Sequence, residues 1–213
     1  NALAAVSSSG SLIWMMVSFF SGMSMVAGVV IARLFGAKDY HPMRKAIHTA
    51  IAFGLVTGVA LTILGIGFTP MILRWMGTPE EVLPQSISYF RWYFAGAIFI
   101  VMYNIFVGIL HAVGDSRHPL YYLMISTVVN IVLDMLFVAV LGFGVGSAAI
   151  ATTISQGLSA LLCCIHLMRI DAPYRVALKD IRFDKQRLGD IVRFGLPSGV
   201  QNSVISLANV VVQ

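Results

Sequence analysis

Long stretches without any charged side chain are the feature of this sequence that most limits its fold. A helix that crosses a bilayer needs about 20 largely apolar residues, and six stretches approach or exceed that length without Asp, Glu, Lys or Arg. Only 11% of the 213 residues are charged and 58% are hydrophobic, which is too little charge to cover a water-facing surface. A soluble enzyme and a disordered segment are therefore excluded. The charge-free stretches are 1–32, 46–73, 92–114, 118–133, 135–168 and 194–213.

The predicted fold class is an all-α transmembrane bundle with several spans. The 135–168 stretch is too long for one span, and the three glycines within Gly142–Gly146 favour a turn that divides it. Strands of a membrane barrel would alternate apolar and polar residues, whereas the apolar stretches here are continuous. The six predicted helices cover about 8–32, 46–73, 86–110, 119–141, 146–168 and 190 to the end.

The placement of basic residues predicts how the chain lies in the membrane. Twelve of the 14 Lys and Arg residues fall in loops on one side of the predicted bundle. The positive-inside rule puts that side in the cytoplasm and Asn1 on the outer side. We therefore predict a multi-pass protein of the plasma membrane, the inner membrane in a bacterium, with no nucleic-acid partner. The twelve residues are Arg33, Lys38, Arg44, Lys45, Arg117, Arg169, Arg175, Lys179, Arg182, Lys185, Arg187 and Arg193.

The two ends of the chain and one polar segment predict its organisation. The sequence begins without Met or a visible signal peptide and stops inside an apolar run, so we expect an internal piece with at least one helix before Asn1. Segment 171–193 is the only long polar linker, and a short amphipathic helix is expected within it. We predict a transmembrane unit over 1–168, a cytoplasmic linker over 169–189 and an incomplete helix of a second unit over 190–213.

Asp134 is the one acidic residue that lies well inside a predicted membrane helix. A carboxylate at the centre of a bilayer costs about 2.5–3.5 kcal/mol on insertion scales. Such a residue is expected to face the interior of the bundle and to have partners. We therefore interpret Asp134 as a functional residue.

Helical spacing suggests the partners of Asp134. Asn130 precedes it by one helical turn and shares its face. At 1.5 Å per residue, Thr152 on the next helix is level with Asp134, and Gln156 is level with Asn130. These oxygens could bind a hard cation such as Na⁺, or Asp134 could take up a proton. A hydrogen-bond network without a transport role is the alternative, and it is favoured for the three neutral residues taken singly.

Asn104 and the histidines are less informative. Asn104 lies about 9 Å above the cytoplasmic end of its helix by the same rise per residue. A tilt or a kink near Gly108 would be needed to bring it to Asp134, so the sequence leaves its role open between site and packing. No pair among the five histidines has metal-ligand spacing with a third partner, and we interpret them as interfacial residues. No cofactor is predicted beyond the coupling ion, Na⁺ or H⁺.

Five motifs, in order along the whole chain, resemble the multidrug and toxic compound extrusion (MATE) family of secondary transporters. The loop of residues 33–39 resembles the loop between that family's second and third helices, and residues 112–119 resemble its loop between the fourth and fifth. The other three are Asn130-Ile-Val-Leu-Asp134, residues 146–156 from Gly-Ser-Ala-Ala-Ile-Ala-Thr152 to Gln156, and Phe194-Gly-Leu-Pro197. They resemble the fifth, sixth and seventh helices.

The resemblance implies five helices of a six-helix N-lobe, followed by the start of the C-lobe. It also implies alternating-access export of organic, often cationic, small molecules, driven by Na⁺ or H⁺. The N-lobe cation site of the family implies roles for Asn130, Asp134 and Thr152, and less securely for Asn104. The implied partners are small organic substrates, the lipid bilayer, and the first helix and C-lobe of the same polypeptide.

Three other functions remain as alternatives. A lipid-linked oligosaccharide flippase of related architecture would favour clustered basic residues in its cavity, and none lies inside these helices away from the interfaces. An intramembrane hydrolase would need a second carboxylate or a nucleophile–base pair near Asp134. A purely structural membrane subunit is the third alternative.

Overall fold

The computed structural model describes residues 27–75, 80–81, 83–140 and 146–212, and within these residues the chain is helical with no strand. Four stretches are long and apolar enough to cross a membrane. The predicted fold class, an all-α polytopic bundle, is confirmed. Most of the first predicted helix and the glycine-rich turn at 142–145 lie outside the described residues.

The described helices follow the charge-free stretches, with ends that differ by several residues. A π-helical segment, Met135–Val140, continues from α5, and a short 3₁₀ turn, Leu178–Asp180, lies before α7. The helices are α1 Ala27–Gly36, α2 Tyr40–Trp75, α3 Leu83–Ala95, α4 Ala97–Ala112, α5 Arg117–Asp134, α6 Gly146–Arg169 and α7 Lys185–Val212.

Gly96 separates α3 from α4 within one apolar stretch. A Cβ atom at this position would lie 2.5 Å from the Thr153 hydroxyl oxygen on α6. Only glycine therefore allows the α3–α4 junction to approach α6 this closely. The Thr153 hydroxyl donates to the Trp92 carbonyl oxygen at 3.1 Å, and a side chain that bonds a carbonyl in this way is a known cause of helix kinks. The break therefore lies at Gly96 and not near Gly108.

Gly108 is instead a point of contact between α4 and α1. A Cβ atom added to Gly28 would lie 3.1 Å from the Gly108 carbonyl oxygen.

The larger apolar core lies towards one end of the bundle, where α1, α2, α4 and α6 meet. Met43, Ile47, Leu110 and Leu167 are completely buried there. Lipid tails are as apolar as these side chains, so close van der Waals packing between the buried residues holds these helices together. The loops of this end of the lobe project from this closely packed core.

The charged segment that follows α6 is held against the start of α2. The buried His48 ring accepts the Ala177 N–H at Nε2 (3.1 Å) and donates from Nδ1 to the Arg44 carbonyl oxygen (2.7 Å). The Thr49 hydroxyl donates to the Arg182 carbonyl oxygen (3.3 Å) and accepts the Asp184 N–H (3.1 Å). Each of these polar groups therefore has a hydrogen-bond partner, which stabilises the docked segment.

Two ion pairs add to this docking, Arg44 with Asp180 at 3.5 Å and Lys45 with Asp184 at 3.7 Å. Asp184 also accepts the Arg187 N–H at the start of α7. This backbone hydrogen bond outweighs partial desolvation and, with the charge of Lys45, lowers the pKa of the Asp184 carboxyl. The loops 37–39 and 113–116 and the segment 170–184 thus gather at one end of the bundle, which we call the basic end.

The sequence predicts the boundary between the two units in this region. α7 begins at Lys185, so its first residues belong to the segment that the sequence predicts as a linker over 169–189. The division into two units stays a prediction.

Candidate functional site

Asp134 is the last residue of α5 and lies on the side of the helix that faces α6. Ser126, Asn130 and Asp134 follow one another at intervals of one turn and are buried or half-buried. The opposite side of α5 is exposed, as at Val128 and Val132 (61% and 57% exposed). In a membrane-spanning helix this difference means that the polar side chains turn away from the lipid-facing surface.

One oxygen of Asp134 and the amide nitrogen of Asn130 have no hydrogen-bond partner in the described part of the chain. Both Oδ1 of Asp134 and Nδ2 of Asn130 are buried atoms. A buried polar atom without a partner costs about 1–3 kcal/mol, and more when it is charged. An oxygen in this situation is stabilised by a proton or by a bound cation.

The backbone changes form immediately beyond Asp134. The next residues, Met135–Val140, form a π-helical segment. Such widened turns are rare and occur frequently at functional sites, because they interrupt the regular helical hydrogen bonds. Asp134 therefore stands at the junction between a regular and an irregular helix.

Tyr89 on α3 is a neighbour of Asp134 that the sequence did not predict. It lies close enough for the carboxylate to act electrostatically on its hydroxyl, and Tyr93 follows one turn later on the same helix. In the sequence these tyrosines are typical of an interfacial aromatic belt. No local pattern links them to a residue about 40 positions away, so only the packing of α3 reveals the proximity.

The register between α5 and α6 is set by a hydrogen bond from the Ser126 hydroxyl to the Ser155 carbonyl oxygen. For antiparallel neighbours rising about 1.5 Å per residue, Asn130 is then level with Thr152 and its neighbour Ala151, and Asp134 is level with Ser147. This shifts the expected pairing by about one helical turn. The sequence estimate depended on assumed helix ends, whereas α5 begins at Arg117.

Thr152 and Gln156 remain on the half-buried side of α6 that includes Ser155. The Thr152 hydroxyl donates to the Ala148 carbonyl oxygen at 3.0 Å, which leaves its oxygen lone pairs able to accept or to ligate. The grouping of these two residues with Asn130 and Asp134 stays a prediction.

Asn104 lies elsewhere along the bundle. Its amide donates to the Ile100 carbonyl oxygen in its own helix at 2.8 Å. The close contact of Gly96 with Thr153 aligns α4 with α6, and counting along both helices places Asn104 on the order of 20 Å nearer the basic end than Asp134. The structure does not bring the two residues together.

Three ionisable side chains meet at the basic end, where the sequence predicted only interfacial histidines. Nδ1 of His118 lies 2.7 Å from Oδ2 of Asp115, and Nε2 of His166 lies 3.5 Å from the same oxygen. Sequence spacing indicated no third partner for any histidine pair, whereas the fold brings Asp115 to both His118 and His166. The three residues span 52 positions in sequence, and they meet because α5 and α6 pack antiparallel.

Asp115 sits just before α5 and is well supplied with donors. Partial burial by itself would raise the pKa of the Asp115 carboxyl, but hydrogen bonds from the backbone and ring of His118 outweigh it, and the pKa is lowered. Its Oδ1 accepts the His118 N–H at 3.2 Å. Asp115 is therefore an anion that its surroundings stabilise.

Comparison with known proteins places the chain in a family. The sequence model of the MatE family matches residues 1–136. Proteins related by this match and by this helical fold are membrane transporters, and the chain belongs to the MatE family. The predicted family is thereby confirmed.

Several relatives and solved structures are similar over nearly the whole chain. The chain is 32% identical over its full length to "Probable multidrug resistance protein YoeA" of Bacillus subtilis, covering 47% of that protein. It is 26% identical over 87% of its length to "Multidrug export protein MepA" of Staphylococcus aureus, covering 41% of it. The chain thus spans about half the length of the curated relatives that it matches.

The solved structures agree. An outward-facing multidrug resistance MATE family transporter superposes with a TM-score of 0.89 at 31% identity, covering 97% of this chain and 46% of that one. A MATE transporter in a bent conformation gives a TM-score of 0.90 at the same identity and coverage. The fold described above is therefore the fold of one half of these transporters.

Proposed function

We propose that the intact protein is a cation-coupled antiporter that exports organic, often cationic, compounds by alternating access, with Na⁺ or H⁺ as the driving ion. Membership of the family and the names of the relatives, multidrug resistance and multidrug export proteins, support the substrate class. In this proposal the protein is not an enzyme. Its basic end faces the cytoplasm, as the positive-inside rule requires.

The observation that carries the proposal is the buried oxygen of Asp134. No described residue donates a hydrogen bond to this oxygen, and its helix is long and apolar enough to cross a membrane. An ionised carboxylate without a bound cation is energetically costly in such a position. A bound cation removes that cost. The ion can drive a conformational change only if it binds one state more tightly than the other. In this proposal, the side chains around Asp134 lie at different distances from the ion in the two states, and the affinity for the ion differs accordingly.

The proposed ligands are oxygens of α5 and α6. Asp134 supplies the charge, Asn130 supplies its amide oxygen, and the Thr152 hydroxyl oxygen lies at the level of Asn130. Na⁺ is a hard cation that prefers such oxygen ligands. Gln156 lies farther towards the basic end and would line the approach, and Asn104 would take part only if α4 moved along the bundle.

Replacing Asp134 tests the proposal in intact cells. In a strain without other exporters, Asp134→Asn should reduce ethidium efflux to the level of cells that lack the protein, because an amide cannot exchange a cation. Asp171→Asn, the same change at an exposed position near the basic end, should leave efflux unchanged. Both variants must reach the membrane in wild-type amounts, measured by immunoblotting.

Retention of wild-type efflux by Asp134→Asn would overturn the proposed coupling role. If neither the wild type nor Asp171→Asn transports ethidium or other organic cations, the proposed substrate class is wrong. Following internal Na⁺ and internal pH during efflux separates the two candidate ions, because only the coupled ion enters in proportion to the exported compound.

A further inference from the structure

A second polar cluster, distinct from the Asp134 region, lies at the basic end. It consists of Asp115 before α5, His118 in the first turn of α5, and His166 near the end of α6. Asp115 and Asp134 are separated by nearly the whole of α5, about 28 Å at 1.5 Å per residue. The cluster is therefore independent of the proposed coupling site.

The three side chains present one ligand atom each within 4.8 Å of one another. In a tetrahedral zinc site with ligand bonds of 2.0–2.1 Å, the ligand atoms lie about 3.3 Å apart. The distances from Asp115 Oδ2 to the histidine nitrogens, 2.7 and 3.5 Å, lie on either side of that value. An ion between the three atoms would replace the hydrogen bond from the His118 ring to Oδ2 of Asp115, with side-chain shifts that bring the ligand atoms to this spacing.

His166 is oriented as a metal-binding histidine would be. Its Nδ1 lies 3.1 Å from the Tyr122 hydroxyl, whereas its Nε2 is buried and makes no hydrogen bond to a described residue. When Nδ1 carries the proton and donates it to the Tyr122 oxygen, Nε2 presents its lone pair to the Asp115 carboxylate. Two electron-rich atoms that face each other in this way are stabilised by a cation between them.

Metal-ligating histidines generally donate their other ring N–H to an oxygen, which fixes the tautomer. Tyr122 is in position to accept this hydrogen bond. Asp115 is held in turn by the His118 N–H, and its ion pairs in the described part of the chain are with histidines. No Lys or Arg there occupies the place of a metal ion.

We propose that Asp115, His118 and His166 form a binding site for a divalent transition metal ion, with Zn²⁺ as the ion that suits the donor set. Two imidazoles and one carboxylate favour Zn²⁺ over Mg²⁺ or Ca²⁺, which prefer oxygen ligands only. Half of the His118 side chain is exposed (49%), so water can take the fourth position. A bound ion joins the α4–α5 loop to the end of α6.

Metal binding by the intact protein tests this proposal without reference to transport. The protein is purified in detergent without a polyhistidine tag and titrated with Zn²⁺ by calorimetry and with Co²⁺ by visible absorption. We expect one ion per molecule and Co²⁺ bands typical of tetrahedral coordination. His166→Gln and His118→Asn should each weaken binding by about 100-fold or more, since loss of a ligand exceeds the 10–100-fold effect of an outer partner.

Two further variants distinguish a built site from adventitious binding to surface histidines. Tyr122→Phe keeps all three ligands but removes the partner of His166 Nδ1, and it should weaken Zn²⁺ binding by about 10-fold or more. His41→Gln removes an exposed histidine of the same end and should change nothing. Because His118 is half exposed, His118→Asn is expected to fold even if His166→Gln does not.

Three results would overturn the proposal. The wild type could bind no Zn²⁺, in which case the cluster is only a hydrogen-bonded trio. The His118→Asn and Tyr122→Phe variants could bind as tightly as the wild type. Or His41→Gln could lose as much affinity as His118→Asn, which would indicate that the ion binds exposed histidines without a preformed site.

Discussion

The two aspartates at the ends of α5 are chemically identical and have opposite surroundings. Asp115, at the basic end, accepts hydrogen bonds at both oxygens and has two histidines beside it. Asp134, at the other end of the helix, has a buried oxygen without a partner among the described residues. One carboxylate is therefore stabilised by the fold, and the other needs a partner that the described chain does not supply.

This contrast separates the end of the lobe where the fold stabilises charged side chains from the region where a charged side chain is proposed to exchange a cation. At the basic end, loop backbone, histidines and basic side chains supply donors, and Asp180 and Asp184 have partners as well. Between α5 and α6, the buried Oδ1 of Asp134 has no partner among the described residues, and an unpaired carboxylate in a low-dielectric region responds strongly to any cation.

The largest expected effect is stabilisation of the intact protein by its coupling ion. A ligand that binds only the folded state adds about 2.7 kcal/mol of stability at roughly 100 times its dissociation constant. Melting temperature should therefore rise with the concentration of the coupling ion at constant ionic strength, and Asp134→Asn should abolish the rise. A full response in Asp134→Asn would show that the ion acts elsewhere.

Exchanging each aspartate for asparagine should shift stability in opposite directions. Without Na⁺, at alkaline pH and with a chelator present, Asp115→Asn should lower the free energy of unfolding by about 1.5–3 kcal/mol, since it loses charge-assisted hydrogen bonds. Asp134→Asn should raise it by about 1 kcal/mol or more, because an uncompensated buried charge is removed. Denaturant titrations measure both values, and a loss of stability in both variants would contradict the comparison.

Ser126 lies between the two aspartates and sets the register of α5 against α6. Ser126→Ala should cost about 0.6 kcal/mol, the average for a hydrogen bond between membrane helices. Thr127→Val, one residue away on the exposed side, is the matched control and should be neutral. Thermal unfolding of the two variants decides the point, and equal melting temperatures would mean that other contacts determine the register.

The smallest effect should come from Asp184, whose carboxyl has a lowered pKa because of the Arg187 backbone hydrogen bond. A lowered folded-state pKa stabilises the protein above the unfolded value, about 3.9, and this contribution is lost as the pH falls through the folded value. Asp184→Asn should therefore melt slightly below the wild type at neutral pH and together with it in acid. A difference that persists or grows in acid would assign the effect to something other than the charge.

Much of the fold could be predicted from the sequence because membrane helices are a local property. A charge-free stretch of sufficient length must satisfy its backbone groups within a helix wherever it occurs in the fold. The same reasoning identified Asp134, since the cost of a carboxylate in lipid depends on its position in the helix and not on its neighbours.

Contacts between distant residues could not be predicted in this way. The break at Gly96 depends on Thr153 approaching from α6, and the position of Tyr89 near Asp134 depends on the packing of α3. The level of Thr152 relative to Asp134 was misplaced by about one turn, because helix ends estimated from composition accumulate errors of several residues.

The local cost of charge in lipid was enough to predict, from the residues alone, that this chain spans a membrane several times and carries one acid inside a span. Which side chains meet depends instead on how the helices pack. Two antiparallel helices brought His166 to Asp115 and His118, and a docked segment gave His48 and Thr49 their partners. These contacts depend on helix register and rotation, which many residues far apart in the chain set together.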